Sequence, residues 1–552
     1  MENKYPKNWH DIDWKKARKE VSNLQEKIVI AMQNKKYKEV YKWQWVILNS
    51  YSGRAIAIRK VINNSGGKTP GIGGIVWNSP KEYIKAIDDL GNLIRKPQEY
   101  KADPLIRVYI SKGNRGEKRA LGIPTLRDRG MQALYHLAID PAIEIVSDPN
   151  SYGFRKHRST HDAIITLRSL LDKKVHSHWV LEADIKKCFD KIDHRFLLKH
   201  TPICHKHVLE QWLKAGVMEE MNILDTNEGT PQGGIVSPLL CNVALNGMEN
   251  KMKKVLPKIK KIGPGIPVIR YADDIVILGK SKNILIKCKE VLKEFLLERG
   301  LELNEMKTRI VHIKTGFDFL GFNIRRMKYN PRLNNPTEQE TVLIIKPSKK
   351  GIEKFREKVK SKMDKNKPIK AIIRDVNPII RGWAEHKRIS YLSQETFIGL
   401  DHWIYHKMMK WITRFKGSKL KVIKKYVIKT DTRKWNWGIS IKEKILNLGE
   451  IPITSPRPLK LDRNPYLLQD EDYFNKRKEN TIYAKFRATV YRKFKHICPV
   501  CNETLHNGEK VELHHIVTQK QGGKYQLKNI QPLHQICHQK VTYSKLYIKV
   551  EK

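Results

Sequence analysis

The stretch from Val268 to Leu278 constrains the fold more than any other. Val268-Ile-Arg-Tyr271 and Ile275-Val-Ile-Leu278 are short β-branched runs, and only Ala272, Asp273 and Asp274 separate them. Runs this short, joined by so few residues, close as a tight hairpin that buries its strands and carries the carboxylates on its turn. Upstream, Val180-Leu-Glu-Ala-Asp184 reads as a strand ending in a third carboxylate before Lys186 to Asp190 turns helical. Three carboxylates at adjacent strand ends can hold two Mg²⁺ about 3.5–4 Å apart, which activates an attacking 3′-hydroxyl and stabilises pyrophosphate as it leaves. By itself, each segment also fits a solvated polar turn.

Further strand candidates are Val108 to Ile110, His178 to Leu181 and Arg309 to His312, interleaved with amphipathic segments, so residues 95–340 read as an α+β body. Residues 1–94 read as a helical N-terminal extension, with apolar spacing such as Val21, Leu24, Ile28 and Ala31. Helical periodicity returns over 346–430, with Pro347, Pro368 and Pro378 near expected helix boundaries. A Pro-rich linker lies within 431–480, and a small domain closes the chain over 481–552. A length of 552 residues suits three or four domains.

Lys and Arg number 107 against 57 acids, a net charge of +50, while 40% hydrophobic residues supply folded cores. Nucleic acid is the partner such a charge expects. The block 346–430 alone carries +17, with cations and aromatics interleaved through Lys387, Arg388, Trp403, Lys407, Lys410, Trp411 and Arg414, then Lys424 and Lys425. Such a block repels itself without a phosphate backbone beside it. No run approaches the ~18 apolar residues of a membrane span, so no membrane partner is expected. Met1 to Trp14 has no hydrophobic core and contains Glu2, Asp11 and Asp13, which predicts an intracellular protein made where it works, in bacterial cytoplasm or an organelle. Cys188, Cys204, Cys241 and Cys288 are expected to be buried small hydrophobes. Cys498, Cys501 and Cys537 cluster with histidines and read as metal ligands.

In order and kind, these segments resemble the reverse transcriptases encoded within group II introns, over nearly the whole chain. The resemblance implies a right-hand polymerase with fingers and palm, a helical thumb, and a catalytic set of Asp184, Asp273 and Asp274. It places Lys112 and Arg119 on the fingers, gripping the dNTP triphosphate. Phe189 would lie under the sugar and exclude a 2′-hydroxyl. Gln232 and Gly233, in Gly229-Thr-Pro-Gln-Gly-Gly234, would approach the nascent base pair, the missing Cβ letting template come close. Lys307 would protonate pyrophosphate, and Phe319-Leu-Gly-Phe322 would grip the primer. Arg155 and Arg158, in Tyr152 to Ser159, would lie near template, and the basic block would be the thumb and maturase region. The row holding Lys424 and Lys425 resembles the family's DNA-target-binding region, so that 431–480 is expected to be a DNA-binding region and linker. Two local departures are Gly73 in Thr69-Pro-Gly-Ile-Gly-Gly74, where the family usually carries Asp, and Ala120 in place of Pro.

Cys498-Pro-Val-Cys501, Glu512-Leu-His-His515, Asn529 and His534-Gln-Ile-Cys-His538 resemble the His-Asn-His (HNH) endonucleases, a small ββα domain. The likeness implies structural Zn²⁺ on Cys498, Cys501, His534 and Cys537, with His534 standing where a cysteine is usual. His515 would be the general base, Asn529 would hold its loop, and His514 and His538 would bind a divalent cation. The expected protein is multifunctional: RNA-directed DNA polymerase, splicing maturase and DNA endonuclease. Its expected partners are intron lariat RNA, a DNA target and dNTPs. Competing expectations are a maturase with little polymerase activity and a host-domesticated reverse transcriptase.

Overall fold

The computed structural model describes residues 6–111, 118–172, 178–219, 222–230, 232–255, 266–328, 341–364, 366–390, 392–413, 418–430, 435–441, 443–479, 485–507, 509–518, 521–523 and 526–543. Four helices form the N-terminal layer: α1 (Trp14–Gln33), α2 (Tyr37–Asn49), α3 (Tyr51–Asn63) and α4 (Pro80–Arg95). Asp13 caps α1 by accepting from the Lys16 amide, and Ser79 with Glu82 forms a reciprocal capping box at α4. Caps of this kind contribute about 0.5–2 kcal/mol each. The layer packs on α5 (Leu126–Val146), which is small and apolar on most sides and buried on nearly all of them.

Two four-stranded sheets lie around this spine. Strands β1 (Leu105–Ser111), β2 (Lys118–Ile123), β4 (Val217–Glu219) and β5 (Asn222–Leu224) make an outer sheet in the order β2-β1-β4-β5. Strands β3 (Trp179–Asp184), β6 (Val268–Tyr271), β7 (Asp274–Gly279) and β8 (Arg309–His312) make a central antiparallel sheet, β6-β7-β3-β8. Alternate residues enter different cores: Leu181, Ala183, Ile275 and Ile277 join the N-terminal layer's core, while Val180, Val276 and Leu278 join a second core with Ile164, Leu167 and Leu171. Burial of both faces explains why these strands read as continuous apolar runs rather than alternating ones.

A third sheet, β9 (Phe317–Phe319), β10 (Phe322–Lys328) and β11 (Thr341–Pro347), leads into helices 349–362, 369–387, 393–412 and 419–426. Two expectations are corrected here. Lys346 belongs to β11, paired with Asn323, so the basic block begins on a strand. Pro378 sits inside the helix Ile369–Lys387 rather than at its boundary. Trp411 is core, its indole N–H donating to the Lys367 carbonyl at 3.1 Å, while Trp403 is half-buried with the Lys407 ammonium 5.5 Å from its ring. Among the described residues no helix is long and apolar enough to cross a membrane.

The segment 451–465 has no regular structure, and Tyr466 fastens it to α5 by donating its hydroxyl to Asp140. Burial, with Glu144 nearby, pushes the Asp140 carboxyl up to about 6, against the lowering bond from Tyr466. Below the ordinary carboxylate pKa, folded and unfolded states both hold this proton and no penalty arises; the penalty grows as pH rises through 6. Asp140→Asn, which keeps an acceptor for Tyr466, is therefore expected to stabilise the protein by about 1–3 kcal/mol above pH 6 and to be neutral below pH 4 in denaturant melts.

At the C-terminal end, strand Val511–His515 pairs antiparallel with Ile530–His534, and helix Gln535–Tyr543 follows. This ββα unit docks on α1 and α3. Arg59, buried beneath the Trp14 ring, meets Glu503 at 3.0 Å and Glu509 at 2.7 Å, and Arg18 bonds Glu503.

Candidate active sites

Register brings the first site together. Asp184, last in β3, pairs directly with Asp274, first in β7, and Tyr271 pairs with Asp274 across a two-residue turn of Ala272 and Asp273. Ala272 takes φ 57°, a left-handed conformation that usually calls for glycine. The strain is held from below. Fully buried Arg270 donates to the Ala272 carbonyl at 3.3 Å and to Asn242 Oδ1 at 2.9 Å, and Asn242 donates to the Gly153 carbonyl at 3.0 Å. A Cβ on Gly153 would lie 2.3 Å from the Ala272 nitrogen, so only glycine lets this loop pass under the turn.

Reduced solvation at the strand ends, with Asp273 and Asp184 alongside, pushes the Asp274 carboxyl up to about 6, opposed by Lys307. Asp274 still reaches solvent, so part of that shift is screened. Lys307 Nζ donates to Asp184 Oδ2 at 3.0 Å, and Asn304 Nδ2 donates to the same oxygen at 3.1 Å. An all-oxygen set of three carboxylates that repel one another suits hard divalent cations such as Mg²⁺.

The other residues expected at this site make contacts of their own. Phe189, half-buried, meets Phe154 edge-on with ring centroids 6.2 Å apart. Gln232 Nε2 donates to Asp190 Oδ1 at 3.4 Å, and the charges of Arg107 and Arg119 act on that carboxylate. Leu320 and Gly321, both at positive φ, turn β9 into β10. Lys112 and Arg414 lie outside the described residues.

Several expected nucleic-acid contacts are corrected. Arg155 is buried, with its fork on Glu144 at 2.8 and 2.6 Å and on the Asp148 and Ser151 carbonyls. Arg158 donates to Glu144 at 3.1 Å and to the Pro149 carbonyl. Lys387 is buried over the Phe322 ring and donates to the Gly321 carbonyl. These cations are spent on holding loops. At Gly233 a Cβ would strike the Gly122 carbonyl at 2.6 Å, so the missing side chain also admits β2, whose Gly122 amide donates to the Gln232 carbonyl. Lys410, Lys424 and Lys425 are exposed, while Arg388 and Lys407 are half-buried.

In the second site, one ligand atom from each of Cys498, Cys501, His534 and Cys537 lies within 4.8 Å of the others. The buried His534 has Nε2 3.2 Å from the Thr504 carbonyl, so that nitrogen carries the proton and Nδ1, 3.3 Å from Cys501 Sγ, is left free to ligate. Three thiolates and one imidazole at this spacing fit tetrahedral zinc.

The pleat puts Glu512 and His514 on one face of their strand. His538 joins them, its Nδ1 2.7 Å from Glu512 Oε2 and its ring 5.0 Å from that of His514. Burial, with His538 and His515 beside it, lowers the His514 pKa, which keeps its imidazole neutral and available as a ligand. Asn529 closes the adjoining loop, accepting from the Val517 amide at 2.7 Å and donating to the Val517 carbonyl at 3.0 Å. Glu512 and the Arg270–Asn242–Gly153 support were missed by sequence reasoning. Period-two spacing from His514 marks Glu512, whereas the Arg270 contacts are long-range and leave no local signal.

Comparisons with known proteins place this chain among known domain families. Residues 110–324 match the family model for reverse transcriptase (RNA-dependent DNA polymerase), and 9–90 match the N-terminal domain of reverse transcriptase. Residues 352–427 match the group II intron maturase-specific domain, and 498–544 match HNH endonuclease. The chain thus joins a reverse transcriptase domain to a maturase-specific domain and an HNH endonuclease domain. Protein YkfC of Escherichia coli is 32% identical over 313 residues, covering 50% of this chain and 80% of YkfC. Group II intron-encoded protein LtrA of Lactococcus lactis is 29% identical over 371 residues, covering 54% of this chain and 60% of LtrA. A putative COX1/OXI3 intron 1 protein of Saccharomyces cerevisiae is 28% identical over 389 residues, covering 61% of this chain and 44% of that one. The chain belongs to the family of group II intron-encoded proteins.

Proposed function

We propose that this protein is an RNA-directed DNA polymerase, an intron-splicing maturase and a site-specific DNA endonuclease, acting in intron mobility by target-primed reverse transcription. The observation that carries this reading is the meeting of Asp184, Asp273 and Asp274 at one strand end within a reverse transcriptase domain. A maturase with a degenerate polymerase would not need that strained, fully supported turn. Its partners would be intron lariat RNA, a DNA target and dNTPs, inside a bacterial cell or organelle.

In this reading the outer sheet is the fingers, the central sheet the palm, and the helical block the thumb, with domains at 1–94, 95–340, 346–430, 431–480 and 481–552. Asp184, Asp273 and Asp274 would hold Mg²⁺, which when bound supplies activation of the 3′-hydroxyl and charge stabilisation at pyrophosphate. Lys307 is poised to neutralise Asp184 before loading and to give a proton to the leaving pyrophosphate afterwards. Phe154 packs edge-on against the Phe189 ring, which would stand as a wall against a ribose 2′-hydroxyl. Arg119 and Lys112 would bind the triphosphate.

The Cys3His cluster would hold structural zinc. His514 and His538, with Glu512 as a further candidate ligand, would hold the nuclease cation. His515 would take a proton from water, and Asn529 fixes the loop that follows it. His515→Ala is expected to abolish cleavage of one target strand while RNA splicing survives; equal loss of both would make the domain a structural one.

For the thumb, intron RNA affinity should fall steeply with salt, and Lys424→Ala with Lys425→Ala should reduce the log–log slope by about 1–2. Binding isotherms at several salt concentrations measure this, and a flat dependence would exclude a phosphate-led interface.

A further inference from the structure

A cleft of about 1750 Å³ lies between the N-terminal layer, the loop after Phe154, the segment around Tyr466 and the ββα unit. It exceeds the ~300–1,000 Å³ of small-molecule pockets, so it has room for more than one nucleotide. Its lining reaches elements of both sites. Phe154, half exposed and packed on Phe189, follows Gly153, which passes beneath the Ala272 turn next to Asp273. Gln535 and Gln539 lie on the helix that carries His538.

The same cleft is lined by Lys60, Lys68 and Lys156, each with exposed surface and none ion-paired with a carboxylate among the described residues. Lys156 Nζ sits 4.1 Å from the centroid of the Tyr466 ring. His157 stacks on Phe474 with centroids 5.1 Å apart. Cations without carboxylate partners beside accessible rings suit a single strand: the ammonium groups follow the phosphates, and the half-exposed Phe154 ring and the outer face of His157 can meet bases. The surrounding protein partly desolvates these cations, lowering the Lys60 pKa and lowering that of Lys156 to about 8 against the pull of Asp140. An anion entering the cleft would favour their charged form, and poor solvation strengthens the attraction.

We infer that this cleft binds single-stranded nucleic acid and carries the strand between the nuclease face and the polymerase carboxylates. The inference rests on the function proposed above and adds a physical route between its two chemistries. RNA and DNA strands share the phosphate and base chemistry the track offers.

Amine acetylation of the full-length protein, read by mass spectrometry, tests it. Oligo(dT) and oligo(rU) of about a dozen nucleotides are each added until fluorescence anisotropy of the labelled strand saturates. Acetylation of Lys60 and Lys156 should fall at least about fivefold, as for a mostly filled site. Protection by DNA alone, RNA alone or both supports the track and identifies which strand occupies it. Unchanged acetylation with both saturated strands overturns it. A K60A/K156A double variant should nick duplex DNA and extend a pre-annealed primer normally, yet lose at least about tenfold of the product in which cDNA is joined to the nicked strand, about 1.4 kcal/mol. An unchanged yield of joined product overturns the track. Retained nicking and extension in that experiment leave the proposed function intact, whereas their absence in unmodified protein would be a failure of that function.

Discussion

Asp273→Asn is expected to lower dNTP incorporation on a primed RNA by at least about a thousandfold, a loss of about 4 kcal/mol of transition-state stabilisation. The asparagine is nearly isosteric and can still occupy the turn beside Ala272. What it removes is one of three negative charges aimed at the same strand end, and with it the oxygen set that suits a pair of divalent cations. The fold should not suffer. Asp273 is one of the groups that push the Asp274 carboxyl up, so neutralising it relieves repulsion. Thermal unfolding of the metal-free variant should match or exceed that of the parent protein. Activity and stability moving in opposite directions would identify these carboxylates as functional; a joint fall in both would identify the turn as a folding element.

The second large effect is expected at the zinc knuckle. Cys498→Ser removes one of four ligands that together fit tetrahedral zinc, whose binding in small domains contributes about 10–16 kcal/mol of folding free energy. The Cys498 amide donates to the Glu503 carbonyl at 2.8 Å, so the knuckle also presents the Glu503 side chain, nearly fully buried, to Arg18 and Arg59. Its loss should free the ββα unit from the N-terminal layer. Metal analysis should find no bound zinc, and amide exchange over 498–516 should rise to that of an unfolded segment. Strand cleavage should be lost, while primer extension on pre-annealed RNA persists. Arg59→Ala separates anchoring from folding: zinc should stay bound while the interface weakens by about 3–5 kcal/mol, the cost of leaving Glu503 buried with part of its charge uncompensated.

The sequence made the local parts of this molecule legible and left out what long-range packing decides. The hairpin at Ala272, the strand ending at Asp184 and the metal cluster from Cys498 to Cys537 follow from short runs and fixed spacings, and all appear where expected. A cation's destination does not follow from such patterns. Arg155, Arg158 and Lys387 read as contacts to nucleic acid because Arg and Lys usually face solvent, yet distant acceptors, Glu144 and the Gly321 carbonyl, draw them inward. Gly233 was legible as a site of close approach, but not that Gly122 of β2, more than a hundred residues earlier, is one of the groups that comes near it. Pro378 shows the reverse limit: a helix packed through Val376 and Ile380 carries a proline that local rules place at an end.

The central claim is that one chain cuts DNA at one site and copies RNA at another. An assay that follows labelled dNTP into product with duplex DNA target, intron RNA and Mg²⁺ tests it directly. cDNA covalently joined to a cleaved DNA strand is the predicted product. Asp273→Asn should leave the cleaved strand unextended, and His515→Ala should leave the duplex uncut while a supplied primer is still extended. Joined product appearing in the Asp273→Asn protein, or label entering only when an external primer is supplied to the unmodified protein, would contradict the account.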